Sequence, residues 1–353
     1  MKVDAGLKHD LRLGLCCLPA LMLIFIGGFL LNHVAEASVI ASGALPLAFG
    51  ASKTWEGSSF KLLLATVVGL GFSSWLGAMA GSVLPLYISL AMIYTAAYAI
   101  ITGIDGTAGW VFLQAAIAFL VSGYFPGDMA HATHRALLIS IGGLVQLTII
   151  CLLLSKGHFH LQWVSRFSLF SFLRQETLKH RHKLHLRWSV LFGLLSMGMA
   201  LFTVELYHLK NGYWTGMTLL LCLRNHYQES LLRVPARLFG TFLGCLSAGV
   251  LMYFFPQLAV LACGFIVSGY VAFTLSYRLA TGSYFVFTFF VTLMVVFMIS
   301  LTGLAQGNVA ADRLTATAIG GAYALAAILF TRLATALQIR LSDNKKSDPE
   351  SLY

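Results

Sequence analysis

At 353 residues, 58% of them hydrophobic and only 10% charged, the chain excludes a water-soluble domain of this size, whose surface needs about a quarter of its residues charged. The formal net charge of +10 invites a nucleic-acid partner, but the placement of those charges has a simpler cause in membrane topology, and no nucleic-acid partner is expected. The apolar residues come in runs of about twenty, the length that spans a hydrocarbon core as helix. The expected class is an all-α polytopic membrane protein.

In chain order, Lys2, Lys8 and Arg12 precede an apolar run from Leu13 to Leu31, followed by Ala35, Glu36 and Ala37. This resembles a secretory signal peptide with a small-residue cleavage site, but the run exceeds the usual length of about 7 to 15 residues, and it is expected to be retained as a helix. A shorter segment from Ser38 to Ala51, broken by Pro46, comes next. Longer runs follow near 60–81, 83–101, 107–124 and 136–154. After a polar, basic stretch the pattern returns at 187–207, at a short 212–223, and at 232–254, 258–275, 284–301 and 314–333. The charged tail from Arg340 to Tyr353 is expected to be disordered. About twelve transmembrane segments result, with a first six-helix unit over 1–155, a basic cytoplasmic linker over 156–186, a second unit over 187–335 and a cytoplasmic tail over 336–353.

With the amino terminus taken as cytoplasmic, only Arg135, Lys210 and Arg313 of the 23 lysines and arginines fall on the outer side. That asymmetry is the positive-inside rule, and it predicts a multi-pass protein of the inner (plasma) membrane with both termini cytoplasmic. The halves also match each other. Leu11-Arg12 corresponds to Leu186-Arg187, His33 to His208, and Ala65-Thr66-x-x-Gly69 to Gly240-Thr241-x-x-Gly244, all at a shift of 175. Arg135 through Gly142-Gly143 corresponds to Arg313 through Gly320-Gly321 at a shift of 178. A tandem duplication of a six-helix unit, with the two copies parallel, accounts for this order.

The second helix of each copy is short or broken, which in transporters marks a substrate site because freed backbone groups must line a cavity; a short tilted helix packed among neighbours is the plainer alternative. Arg233 and Arg237, one turn apart, share a face near the cytoplasmic start of the ninth segment, where forked donors suit carboxylate or phosphate. They serve equally as anchors to lipid phosphates. Arg224, Asn225 and His226 form a polar hinge just before that helix. Gly240, Thr241 and Gly244 read as a close-packing ridge, as do the paired glycines. Glu205 and His208, at i and i+3, together with Asp312 and Arg313, are candidates for proton relay at the outer side, against simple interfacial solvation.

The six cysteines all lie in apolar runs without a CxxC pair and read as reduced, buried thiols. Asp128, His131 and His134 are short of metal ligands, and His180, His182 and His185 sit in a basic run better suited to anionic lipid headgroups. No nucleophile elbow, phosphate loop or HExxH is present, so neither enzymatic activity nor a cofactor or metal is expected.

Tyr213, Trp214 and Thr218, followed by Arg237, Gly240, Thr241 and Gly244 and later by Asp312-Arg313 and Gly320-Gly321, resemble the fusaric acid resistance (FUSC) family of aromatic acid exporters and efflux pumps, convincingly over about 205–335. The resemblance implies a duplicated six-helix module that exports aromatic or other amphipathic carboxylic acids across an inner membrane. Ser38 and Val39 stand where Tyr-Trp would fall in the first half, which makes an asymmetric site the expectation. Many relatives insert a large cytoplasmic domain where this chain has a short linker, so whether a periplasmic adaptor takes part stays open.

The leading expectation is a transporter of organic anions driven by the proton gradient or membrane potential. Arg237, Arg233 and Arg224 would attract carboxylate at the cytoplasmic mouth, Tyr213 and Trp214 would stack on a ring, and Asn225, His226, Thr218 and Thr241 would complete the site. An anion channel, or a non-transport membrane component whose basic linker docks a partner or anionic lipid, are the alternatives. Membrane lipids and further copies of the chain are the other partners considered.

Overall fold

The computed structural model describes residues 5–55, 57–154, 184–223, 227–279, 284–303 and 307–347. Among them are twelve helices and, as extended pairing, an isolated bridge between Trp55 and Ser58. The helices are α1 (Ala5–Leu30), α2 (Val34–Gly50), α3 (Ser59–Ala80), α4 (Leu84–Ile104), α5 (Gly106–Gly123), α6 (Met129–Leu154), α7 (Leu184–Leu206), α8 (Tyr213–Cys222), α9 (Tyr227–Phe254), α10 (Leu258–Ser276), α11 (Tyr284–Leu301) and α12 (Gly307–Ser347). Short polar side chains fix several starts. Ser58 accepts from the Lys61 amide at 3.4 Å, Asp105 from that of Thr107 at 2.7 Å, and Asp128 from that of His131 at 2.8 Å, each satisfying a donor that the first turn leaves unpaired.

Ten of these helices are long and apolar enough to cross a membrane; α2, with 17 residues, and α8, with 10, fall short. All twelve expected segments are helices, and ten of them are candidate spans by length and composition. At 1.5 Å per residue α8 is about 15 Å long, half of a hydrocarbon core of about 30 Å, and the chain leaves it in extended conformation at Leu223. Two expectations are corrected. Pro46 does not break α2, which runs on to Gly50, because neighbours that enclose a membrane helix tolerate one missing backbone donor. The tail is not wholly irregular, since α12 continues to Ser347. A helix already nucleated propagates, and the tail from Arg340 to Asp348 contains no glycine or proline. The linker over 156–183 and residues 224–226 lie outside the described residues.

The helices pack in two interlocked groups. α3 lies on α5 and α6, α2 on α6, α9 on α11 and α12, and α8 on α12, while α4 meets α7 and α1 meets α10. Each apolar core draws on both sides of the linker. One joins Leu21, Leu47 and Leu62 to Phe265 and Phe297; the other joins Tyr98 and Phe119 to Met197, Leu219 and Val234. Glycines allow the tightest approaches, as their small-residue pattern predicts. A Cβ on Gly142 would collide with the Ile40 carbonyl, one on Gly43 with that of Ile139, and one on Gly320 with that of Thr215.

Two tyrosines tie the groups together at the ends of the short helices. The Tyr277 hydroxyl donates to the Ala48 carbonyl at 2.7 Å and sits 3.5 Å from the Cys17 sulfur, while the Tyr98 hydroxyl reaches the Leu223 carbonyl at 3.4 Å. Each bond runs from a long helix on one side of the linker to a short helix on the other. Tyr277→Phe is expected to cost about 1 kcal/mol and to speed maleimide modification of the buried Cys17 in a variant with the other cysteines replaced. Unchanged labelling would show that this bond does not hold α10 against α2.

A candidate anion site between α8, α9, α11 and α12

α9 enters the bundle at Tyr227 and carries Arg237 about 15 Å along its length. The side chain is 3% exposed. Arg237 is therefore not at a helix mouth, as its spacing from the start of the apolar run had implied; α9 begins earlier than that run, and the arginine lies deep in the bundle. Arg313, expected at an outer boundary, is 1% exposed. α12 begins at Gly307, so Arg313 too is more than a turn inside its helix.

Arg237 and Arg313 lie on α9 and α12, two helices that pack directly on each other. Among the described residues, neither pairs with a carboxylate. Arg313 reaches Thr292 with one nitrogen at 3.4 Å, and its guanidinium carbon lies 4.0 Å from the centre of the Trp214 ring. Its other terminal nitrogen and the Arg237 Nε are buried with no hydrogen-bond partner. Burying a cation costs several kcal/mol even after relaxation, and here no carboxylate among the described residues offsets it, in contrast to Arg278, which pairs with Asp10.

Hydroxyls around the arginines are unpartnered in the same way. Elsewhere in this protein, helical threonines donate to the carbonyl four residues back: Thr66 to Leu62 at 2.7 Å, Thr95 to Ala91 at 2.8 Å, Thr274 to Tyr270 at 3.0 Å. The hydroxyls of Thr215, Thr218, Thr241 and Thr288, all fully buried, make no such bond. Glycines bring their helices together, since a Cβ on Gly240 would stand 2.9 Å from Thr288 and one on Gly244 2.7 Å from Thr292. The ridge Gly240, Thr241, Gly244 thus packs α9 on α11 as expected. Buried polar groups are ordinarily satisfied, and this concentration of idle donors beside two unpaired cations has the chemistry of a receptor for an acceptor-rich anion.

Above the site, an aromatic and cationic layer links the two groups of helices. Arg135 donates to Ser122 at 3.2 Å and lies 4.7 Å from the Phe125 ring centre. Tyr213 packs edge-on against Tyr124 at 5.3 Å, tilted against Phe125 at 6.3 Å, and beside Trp214 at 5.1 Å. Tyr213 and Trp214 therefore have their faces occupied, Trp214 by Arg313 itself. Arg233 stacks over Tyr284, guanidinium carbon to ring centre 4.6 Å. The relay candidates do not converge. Glu205 and His208 are exposed at the end of α7 and joined through backbone alone, the His208 amide donating to the Glu205 carbonyl at 3.0 Å, while Asp312 accepts from Asn211 at 3.4 Å. Arg224, Asn225 and His226 lie outside the described residues. Sequence reading passed over Thr215, Thr288 and Thr292; the available signal was a pair of threonines four apart, Thr288 and Thr292, in the otherwise very apolar α11.

The whole arrangement falls within one stretch of chain. Residues 199–327 match the fusaric acid resistance protein-like family. That segment runs from within α7 to within α12 and holds both buried arginines and all four idle threonines. The chain is also similar to an uncharacterized protein, ORF2, of Neisseria gonorrhoeae, 31% identical over 127 residues, which is 36% of this chain and 30% of that protein. The match thus spans under a third of that relative's length. No solved structure matches the chain.

Proposed function

We propose that this membrane protein moves organic anions, of the aromatic or amphipathic carboxylate kind, outward across an inner membrane. The observation that carries this reading is the pair of buried arginines without counter-charge amid idle threonine donors. The family match supports a membrane transporter, and the short α8, stopping halfway and opening at Leu223, supports a site lined by helix ends. Arg237 and Arg313 bind the anion; Trp214 holds Arg313 in place through its ring face; Thr215, Thr218, Thr241 and Thr288 donate to the cargo's oxygens. Arg233, one turn before Arg237 on α9, forms the approach from the cytoplasm. Outward movement of an anion follows the membrane potential. Both termini lie in the cytoplasm on this reading, which the sidedness of Lys and Arg supports.

We further infer that the chain arose by tandem duplication. α5 shifted by 178 falls on Tyr284–Leu301, the bounds of α11. The clash partners of Gly142 and Gly320 are Ile40 and Thr215, related by 175, as are the tyrosine-bound carbonyls of Ala48 and Leu223. The copies differ in the site: Thr66, the counterpart of Thr241, has its hydroxyl satisfied, and Arg135, the counterpart of Arg313, has Ser122 and Phe125. The anion site belongs to the second copy.

Purified full-length protein in liposomes tests the function. Labelled benzoate or phthalate should cross protein-containing vesicles at least tenfold faster than empty ones when the potential drives anions outward. A rate no greater than that of empty vesicles for either acid would sink the transport reading. A sustained current set by the anion gradient alone would assign a channel in place of a carrier.

A further inference from the structure

Resting on the anion-transport reading, we propose that the preferred cargo is a dianion, with one negative group held by Arg237 and the other by Arg313. A site with two fixed positive charges and no carboxylate is electrically balanced by two negative charges. A monoanion leaves one guanidinium uncompensated in a low-dielectric interior, where an unpaired charge is most costly. The hydrogen-bond inventory agrees. One terminal Arg313 nitrogen, Arg237 Nε and four threonine hydroxyls all offer hydrogens with nothing to receive them, so the cargo must be rich in acceptor oxygens. Two carboxylates supply four oxygens, each able to accept more than one bond; a single carboxylate supplies two. The aromatic surface points the same way. The ring of Trp214 is covered by Arg313 and Tyr213 is flanked by Tyr124 and Phe125, so recognition falls on the charged groups of the cargo and not on its ring.

The test compares benzoate with phthalate, which share a ring and differ by one carboxylate, and adds sulfate as an inorganic dianion, in liposomes holding the full chain. Phthalate should compete for the site at least tenfold better than benzoate. In Arg237→Gln both acids should weaken, and phthalate by the larger factor of about tenfold to a hundredfold, the range of one charged hydrogen bond, so that the preference collapses. Arg237→Lys keeps the charge and should retain the preference at reduced affinity, which separates a charge requirement from misfolding. Sulfate competing as well as phthalate supports the dianion rule with an inorganic source. Benzoate carried as well as phthalate overturns the dianion proposal and leaves anion transport standing. Transport of none of the three overturns both.

Discussion

Replacing Arg237 by methionine is expected to raise the thermal stability of the solubilised protein while lowering anion transport at least tenfold. The two effects have one origin. Arg237 is buried, its Nε has no acceptor, and a second buried cation, Arg313, lies on the helix packed against α9. A side chain of similar volume without charge removes the desolvation cost and the repulsion, and such exchanges of buried ionic groups are neutral or stabilising by about 1 to 4 kcal/mol. A purely structural arginine behaves in the opposite way, because its removal strands its partners. Transport falls because half of the positive charge that attracts the cargo is gone, a loss of at least the about 1.5 kcal/mol that a charged hydrogen bond contributes. Differential scanning of the purified protein and flux in liposomes read the two quantities separately. Lower stability together with intact flux would remove Arg237 from the site and make it an anchor of the fold. In cells the same substitution should sensitise growth to an exported aromatic acid at unchanged protein level in the membrane.

Much of this architecture was legible from apolar run lengths. The bounds of α11 coincide with the expected segment and those of α10 differ by a single residue, because a membrane helix is limited by the hydrocarbon thickness and by the polar residues that flank it. Helix ends outside that thickness were not legible in this way. α9 and α12 begin several residues before their apolar runs, since Glu229 or Asn308 near a helix start is compatible with helix but not with a hydrophobic window. The helices packed around α9 and α12 are what bury Arg237 and Arg313 inside the bundle. A count of positive charges treats every arginine at the edge of an apolar run as a flank, and it cannot distinguish a flank from a buried cation. The threonines were missed for a related reason. In a membrane helix a threonine ordinarily satisfies its hydroxyl on its own backbone, as Thr66 does, so its identity says nothing about whether that bond is made. Only the positions of neighbouring helices show that Thr241, its counterpart, leaves the bond unmade.

The glycine contacts give the largest expected effects on folding, and they separate packing from binding. Gly142→Ala places a methyl group against the Ile40 carbonyl on α2, and Gly43→Ala places one against the Ile139 carbonyl on α6. Backbone atoms cannot swing aside as a side chain can, so α2 and α6 must separate along their shared length, at a cost of about 3 kcal/mol for either change. The two costs should add to less than their sum, because the helices once parted by the first methyl already admit the second. Gly249→Ala is the matched control. Nothing lies within 4 Å of a Cβ there, and the change should stabilise α9 by up to about 1 kcal/mol through helix propensity alone. Gly320→Ala presses on the Thr215 carbonyl and approaches the Thr218 Cβ at 3.0 Å, so it moves the helix that presents two of the site's donors. Its stability loss should resemble that of Gly142→Ala, but the protein that does fold should also carry anions at least tenfold more slowly. If the surviving Gly142→Ala protein is as impaired in flux as Gly320→Ala, the two halves share the site, and the asymmetry argued from Thr66 and Arg135 is wrong.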